Sequence, residues 1–365
     1  SDRSKHLFCF GLGFSGQALA KLALSKGWRV SGTVRSAEKA ERLREAGINA
    51  LVLDAAEATA LSDPIQAALA ETTHLLQSIG TAKAGNDPLL PLIQPLAPDL
   101  QARWAGYLST TVVYGDWNGA WVDETSETRS QSRRGVARLE AEAAWNDLGL
   151  PLHVFRLAGI YGPGRNALET VRQGRARIID KPGQVFSRIH VEDIASSVFA
   201  SMEKPTAAVG QPEVFNVCDD LPCAPGEVIE HACAMLEIDP PTPLKLEDAG
   251  LSEMGKSFYA DNKRVSNQKL KDVLGWQPAF PTYREGLAAI FAFPLFRRVE
   301  QAVTPVHDFQ AVGHKDTERG PDQPGQHPED LRQQIELRQR GSIRGLPETE
   351  QYQIDLTPSI NSVAA

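Results

Sequence analysis

The stretch Leu7-Phe8-Cys9-Phe10-Gly11-Leu12-Gly13-Phe14-Ser15-Gly16-Gln17-Ala18-Leu19-Ala20 decides the fold. Its four leading apolar residues read as a buried strand. Gly11, Gly13 and Gly16 then fall at the spacing G-x-G-x-x-G, and Ala18, Leu19, Leu22, Ala23 and Leu24 carry a helical pattern. A glycine turn between such a strand and such a helix predicts a dinucleotide site. Gly11 permits the tight turn, Gly13 lets a pyrophosphate approach the backbone, and Gly16 lets the helix pack closely on the strand. Phe14 and Ser15 open the helix, whose free N–H groups and positive dipole end face the phosphates.

The bulk properties narrow the class. A chain of 365 residues is long enough for two domains. A net charge of -8 argues against a general nucleic-acid binder. No apolar run approaches a membrane span. The N-terminus enters the first strand almost at once, without a signal peptide, which points to a cytoplasmic protein. The missing initiator Met leaves open an organelle location after removal of a targeting segment. Of the cysteines Cys9, Cys218, Cys223 and Cys233, Cys9 falls in the first strand, and Cys218 and Cys223 are too sparse and lack nearby histidines for a zinc site, so reduced thiols and no metal are expected.

Along the chain, Trp28–Arg35 reads as the second strand. In dinucleotide folds an acid at the end of this strand binds the ribose 2′-hydroxyl of NAD. Here Arg35 and Ser36 stand there with no acid. A guanidinium suits a 2′-phosphate, so the expected cofactor is NADP, with NAD as the alternative. Residues Ala37–Ala46 form a charged helix, and Ala50–Asp54 is a third strand whose Asp54 reaches toward the adenine. His74–Gly80 is a fourth strand that brings Gly80 near the cofactor, followed by a proline-punctuated loop over Ala82–Pro98. Arg103–Gly115 is a fifth strand running into a polar turn, Arg133–Leu148 a helix, and Leu152–Leu157 a sixth strand. Alternating strands and helices predict a parallel, doubly wound α/β sheet. Gly13, Arg35, Asp54, Gly80 and Thr110 would all fall at its carboxyl edge, where such sheets bind ligands.

Further on, Val185–Val191 reads as a short strand, Glu192–Met202 as a helix, Val214–Val217 as a strand and Pro225–Leu236 as a helix with a proline start. Lys263–Asn267 precedes a short helix ending near Trp276, and a last amphipathic helix opens at Pro281 and runs to about Phe291. Residues 297–365 are rich in Gln, Pro, Gly and mixed charge, which predicts a disordered tail.

Four blocks together resemble the short-chain dehydrogenase/reductase superfamily in its extended, NAD-dependent epimerase/dehydratase-like branch. They are Gly11–Gly16, Leu108–Asp116, Arg156–Arg165 and Arg188–Ala195. The resemblance covers roughly Lys5–Phe291. It implies a Rossmann-type domain over 5–170, a smaller α/β substrate domain over 171–296 interleaved with the sheet strands, and the tail beyond. It also implies a Ser or Thr at the end of the fifth strand and a Tyr-x-x-x-Lys on the next helix. Thr110 matches the hydroxyl. The helix departs: the Lys falls on Arg138 and the Tyr on Arg134. Arginine stays protonated and transfers no proton near neutral pH, although Arg138 can still hold ribose or phosphate oxygens. The match at Tyr259 and Lys263 lies after the sheet is complete and is set aside.

The remaining candidates carry two readings each. Tyr114 supplies the missing proton or is a structural tyrosine of the Val-Tyr-Gly turn. His190 is an acid or base, or with Asp193 ties the two domains together. Arg156 and Arg165 bind an anionic substrate or a carboxylate of the protein, and Asp123 and Glu124 are surface caps. The resulting expectation is an atypical NAD(P)-binding oxidoreductase or epimerase. It would act on a small, anionic or sugar-nucleotide substrate, with Thr110 and Tyr114 in the chemistry, and form a homodimer. The alternative is a non-catalytic NADP-binding sensor or scaffold.

Overall fold

The structure is a computed structural model that describes residues 5–82 and 85–292. The expected tail over 297–365 lies outside the described residues. The first half runs β1 (His6–Phe10), α1 (Phe14–Ser25), β2 (Arg29–Val34), α2 (Ala37–Glu45), β3 (Asn49–Val52), α3 (Asp63–Ala70) and β4 (His74–Gln77). It continues through α4 (Leu90–Ile93), β5 (Trp104–Thr110), β6 (Trp121–Val122), α5 (Arg133–Asn146) and β7 (Leu152–Leu157). The second half holds β8 (Gly159–Tyr161), α6 (Ala167–Arg172), β9 (Arg188–His190), α7 (Val191–Glu203), β10 (Glu213–Val217) and α8 (Pro225–Leu236). It closes with α9 (Glu253–Phe258), β11 (Arg264–Val265), α10 (Gln268–Leu274) and helical residues at 283–292.

Seven strands form one sheet in the order β10-β7-β5-β4-β1-β2-β3, and every adjacent pair is parallel. A fully parallel sheet must be covered on both faces, and the side chains alternate accordingly. Leu7, Cys9 and Leu76 face one layer, with Leu19 and Ala23 of α1 and Ile194 and Val198 of α7. Phe8, Phe10 and Leu75 face the other, with Ile65 and Leu69 of α3 and Trp145 of α5. This is the expected Rossmann-type doubly wound fold. A third cluster, built on Tyr161, Leu168, Val228, Ala232 and Leu287, forms the core of the smaller C-terminal part. Among the described residues no helix is long and apolar enough to cross a membrane.

Several elements differ from the sequence expectation. The fifth strand stops at Thr110, and Thr111–Tyr114 wind into a 3-10 turn that the Thr110 hydroxyl caps by accepting the Val112 N–H. The third strand ends at Val52, although the Leu53 N–H still donates to Val34 O of β2 (2.9 Å). Helix α3 was not foreseen. It is only eight residues long and is started by a proline in its first turn. The Gly159-Ile160-Tyr161 stretch, just beyond the sixth strand, pairs with β9 in a separate two-stranded sheet. In the predicted Val185–Val191 strand only Arg188–His190 pair with β8, while Phe186 forms an isolated antiparallel bridge to Cys223.

The sheet carries a polar plug beside β5 and β7. The buried Arg156 guanidinium on β7 donates to Glu142 of α5, with Nη2–Oε2 at 2.8 Å. Glu142 also accepts the Ser109 hydroxyl. Arg156 donates a further bond to the Tyr114 hydroxyl (3.1 Å), which itself donates to Asn216 Oδ1 on β10 (2.8 Å). Removing one partner of a buried pair leaves the other charged and unsolvated. Glu142→Ala is therefore expected to lower unfolding stability by about 3–5 kcal/mol, read from urea denaturation. Glu142→Gln keeps an acceptor for Arg156 and is expected to lose less.

Candidate functional site

The β1–α1 junction is shaped by two glycines that no other residue replaces. Gly11 adopts φ +89°, and a Cβ on it would stand 2.9 Å from Ile79 Cγ1. A Cβ on Gly16 would stand 2.5 Å from the Gly11 carbonyl oxygen and 3.0 Å from Cys9 Sγ. The turn is pinned to β2, because Gly11 N–H donates to Thr33 Oγ1 (3.0 Å) and Leu12 N–H to Thr33 O (2.8 Å). Gly13 is different. Its Cβ would meet nothing of the protein closer than 4.0 Å. Packing within the chain does not demand a glycine at Gly13; a side chain there would instead project into the space beside the turn.

That space belongs to a groove of about 430 Å³ along the carboxyl ends of β1, β2, β3 and β4. It lies where the strand order reverses between β1 and β4, the switch point at which doubly wound sheets take ligands. Gly11 and Gly13, Arg35, Asp54 and Gly80 all line it, so four separate segments of the chain converge there. The wall after β4 is held by buried Asp87, which accepts from Gln77 Nε2 (3.0 Å), Leu89 N–H (2.9 Å) and Trp145 Nε1 (2.8 Å). Phe14 is partly exposed at the mouth, and its ring lies 3.1 Å from where a Cβ on Gly162 would stand. Ser15 is buried at the first turn of α1.

At the outer end, the exposed Arg35 has a neighbour that the sequence did not reveal. Lys39 of α2 lines the same wall. Burial, followed by the charges of Arg42 and Arg35, pulls its pKa below the usual lysine range. Neither Arg35 nor Lys39 pairs with a carboxylate among the described residues. The Asp54 carboxylate accepts the Ala56 N–H (3.1 Å), which fixes the rim opposite.

At the inner end, Arg138 of α5 donates to the Tyr107 hydroxyl (2.9 Å) and to Leu108 O (3.2 Å). Its Nη2 lies 3.6 Å from where a Cβ on Gly80 would stand, and its Nε is buried without a partner. Burial pushes the Tyr107 hydroxyl up to about 12, with Arg138 acting in the opposite direction. Arg134 is exposed one helical turn before Arg138, with its guanidinium 5.8 Å from the Phe258 ring of α9. Thr110 is buried at the end of β5.

Other candidates lie elsewhere. The Tyr114 hydroxyl is fully enclosed and committed to Asn216 and Arg156, and burial raises its pKa. Arg156 holds a carboxylate of the protein, Glu142. His190 caps α7 through Nδ1, and burial lowers its pKa to about 4. Asp193 accepts the backbone N–H groups of Ala279 and Phe280, tying α7 to the chain after α10. Asp123 caps a surface turn by accepting the Thr125 N–H, whereas Glu124 is not a surface cap: it reaches inward to accept Asn216 N–H. Lys263 donates to Gly115 O (2.8 Å), and Tyr259 packs on Phe186, so the Tyr259/Lys263 match forms no dyad.

The fold and groove define an extended, Rossmann-type dinucleotide-fold protein of the epimerase/dehydratase-like architecture. No protein-family profile matches the chain. A solved structure of a functionally unknown conserved protein from Silicibacter pomeroyi DSS is 42% identical, with a TM-score of 0.70, and the match covers 80% of this chain and 99% of that one. Protein YeeZ of Escherichia coli strain K12 is 25% identical over 289 residues, 76% of this chain and 97% of that protein. The structure of MoeE5 in complex with UDP-glucuronic acid and NAD aligns at 17% identity over 80% of this chain and 99% of that one, with a TM-score of 0.65. The chain belongs to the family of the Silicibacter protein, and its fold is that of the NAD-dependent epimerase/dehydratase-like structures.

One buried acid lies beyond the groove. Asp219 follows β10, and its Oδ1 accepts the Leu221 N–H (3.2 Å) while its Oδ2 has no partner. Burial pushes its carboxyl up to about 8, against a backbone hydrogen bond and Arg188. The folded chain thus keeps a proton that the unfolded chain releases near pH 4, and stability must fall as pH rises toward 8. The buried histidines His74, His153 and His190, lowered to about 4, act in the opposite sense but only below about pH 6.5. Between pH 6.5 and 8 the Asp219 effect stands alone among these groups. Asp219→Asn is expected to flatten the decline in stability across that window, measured by urea unfolding at fixed pH steps. An unchanged slope would remove Asp219 as its source.

Proposed function

We propose that the chain is an NADP-dependent oxidoreductase of the epimerase/dehydratase-like type. The observation that carries this reading is the pair of cations without carboxylate partners, Arg35 and Lys39, on the outer wall of a groove whose inner wall is glycine. The residues present fit the group. Gly13 leaves its Cβ direction open, and the start of α1 offers backbone N–H groups. Arg35 and Lys39 bring two positive charges to the place where a ribose 2′-phosphate adds negative charge. Within this reading Phe14 and Ser15 flank the pyrophosphate, Asp54 faces the adenine, and Gly80 and Arg138 meet the nicotinamide ribose. Residues 171–296 supply the substrate side.

Bound NADP supplies or takes up hydride. The chain's own part is to bind, orient and exclude water. Thr110 orients the substrate oxygen from the end of β5. Arg134 and Arg138 stay charged near neutral pH and hold oxygens rather than move protons. Tyr114, closed off by Asn216 and Arg156, takes no part in the chemistry under this proposal. MoeE5 is named in complex with NAD, which makes NAD the competing cofactor.

Thermal unfolding with saturating NADPH and NADH tests the reading, since a ligand of the native state must raise stability. NADPH is expected to give the larger shift. Arg35→Asp is expected to weaken NADPH by about tenfold or more, about 1.4 kcal/mol, and to narrow or reverse the preference over NADH. No stabilisation by either nucleotide would overturn the proposal. Binding of NADPH without turnover of any carbonyl or sugar-nucleotide substrate would favour the sensor instead.

A further inference from the structure

Beside the inner end of the groove, positive charge gathers without a paired carboxylate among the described residues. Arg134 and Arg138 stand four residues apart, on one face of α5. Like charges at this spacing destabilise a helix. Arg133 and Arg134 also occupy its first turn, where the helix dipole is positive and no acid is present. Arg165 approaches from a third element. Its turn begins at Gly162, which packs against the Phe14 ring at the mouth of the glycine loop. Partial burial and the charges of Arg138 and Arg165 both act against the protonated form of Arg134. Arg134, Arg138 and Arg165 pair with no carboxylate among the described residues. By contrast, Arg156, one strand away, is fully paired with Glu142.

The Arg134 guanidinium rests 5.8 Å from the Phe258 ring of α9, which is 44% exposed. Arg138 Nη2 lies 3.6 Å from where a Cβ on Gly80 would stand, and Gly80 lines the dinucleotide groove, so the cluster abuts that groove. The Arg138 Nε is buried without a partner. Arginines grouped without a carboxylate partner among the described residues are completed by an anion.

We infer that Arg134 and Arg165, beside Arg138, bind the anionic end of the substrate, a small molecule carrying a carboxylate or a phosphate. The inference rests on the proposed function for the anion being the substrate, while the anion site itself stands on the arginines. In this arrangement Arg134 and Arg165 select the substrate by charge, and Arg138 stays with the nicotinamide ribose. The guanidinium fork of each of the two matches two oxygens of one carboxylate or phosphate.

The test uses the full chain, with and without NADPH, titrated with malonate, inorganic phosphate or sodium chloride at matched ionic strength. Thermal unfolding is the readout. Malonate or phosphate is expected to stabilise the wild type beyond sodium chloride, and the better of the two identifies the anion class. Arg134→Gln and Arg165→Gln are expected to weaken that response by about tenfold each. Without added anion and at low salt, Arg134→Gln is expected to unfold no lower than the wild type, because it relieves repulsion. Arg172→Gln, which removes an exposed arginine paired with Glu169, serves as the control and should respond like the wild type. Equal shifts with sodium chloride, or identical responses in Arg134→Gln and the wild type, would overturn the inference. The NADPH shift is read separately in every variant. Its absence would defeat the proposed function and leave the anion result standing.

Discussion

No side chain fits between α1 and β1. A single methyl on Gly16 would press to 2.5 Å of the Gly11 carbonyl, and a methyl on Gly32 would press to 2.6 Å of the Cys9 carbonyl on the other side of the same strand. These two absences set the spacing of the N-terminal half. With Gly16 in place, α1 starts directly over the end of β1, and its first N–H groups open onto the carboxyl edge of the sheet. With Gly32 in place, β2 carries Leu12 tightly against its surface, and Thr33 catches the turn through its hydroxyl and its carbonyl. The groove is the space left over once these approaches are made. Its shape therefore depends on the β1–α1 contact more than on the residues that line it.

A second constraint separates chemistry from architecture. The sheet's carboxyl edge is crowded with polar side chains, and most are already satisfied by one another. Glu142 takes Ser109 and Arg156, Arg156 also reaches Tyr114, and Tyr114 ends on Asn216. Buried charges persist only when paired and hydrogen-bonded, and here one network links α5 to β5, β7 and β10. Groups locked in this way cannot turn toward a ligand without leaving a partner unsatisfied. Outside that network stand Thr110, whose hydroxyl accepts the Val112 N–H, and arginines that pair with no carboxylate among the described residues. The division explains why the hydroxyl of Tyr114, which stands beside β5 in the sequence, is committed to Asn216 and Arg156.

Legibility in the sequence followed physical range. The strand–glycine–helix unit, the parallel order and the helix at Pro225–Leu236 were all readable because their signals are local: period, glycine spacing and a proline start. Arg35 was readable because its place is fixed by the strand it ends. Lys39 was not, since only the turn of α2 brings it to the same wall. Glu124 was read as a surface cap because its neighbours are polar, yet it reaches β10 more than ninety residues away to take the Asn216 N–H. The fate of Arg156 was undecidable from the chain alone, because its partner Glu142 lies fourteen residues back on a helix whose face is set by packing. The small β8–β9 sheet was missed for a related reason. Three residues paired with three others carry no periodic signal of their own.

The chain carries an excess of eight negative charges, yet the groove runs from Arg35 and Lys39 at one end to Arg138 at the other. A positive strip on a negative protein does not come from composition; it has to be maintained against attraction to 46 acidic side chains. Of the residues that line the groove Asp54 is the single acid; apolar side chains and glycine backbone make up most of the rest. Low-dielectric walls also concentrate the field of the strip, which raises the local concentration of anions and speeds their capture. Arg134 and Arg138, four residues apart on α5, repel each other at that spacing, and under the anion-binding proposal affinity comes in part from the removal of that repulsion.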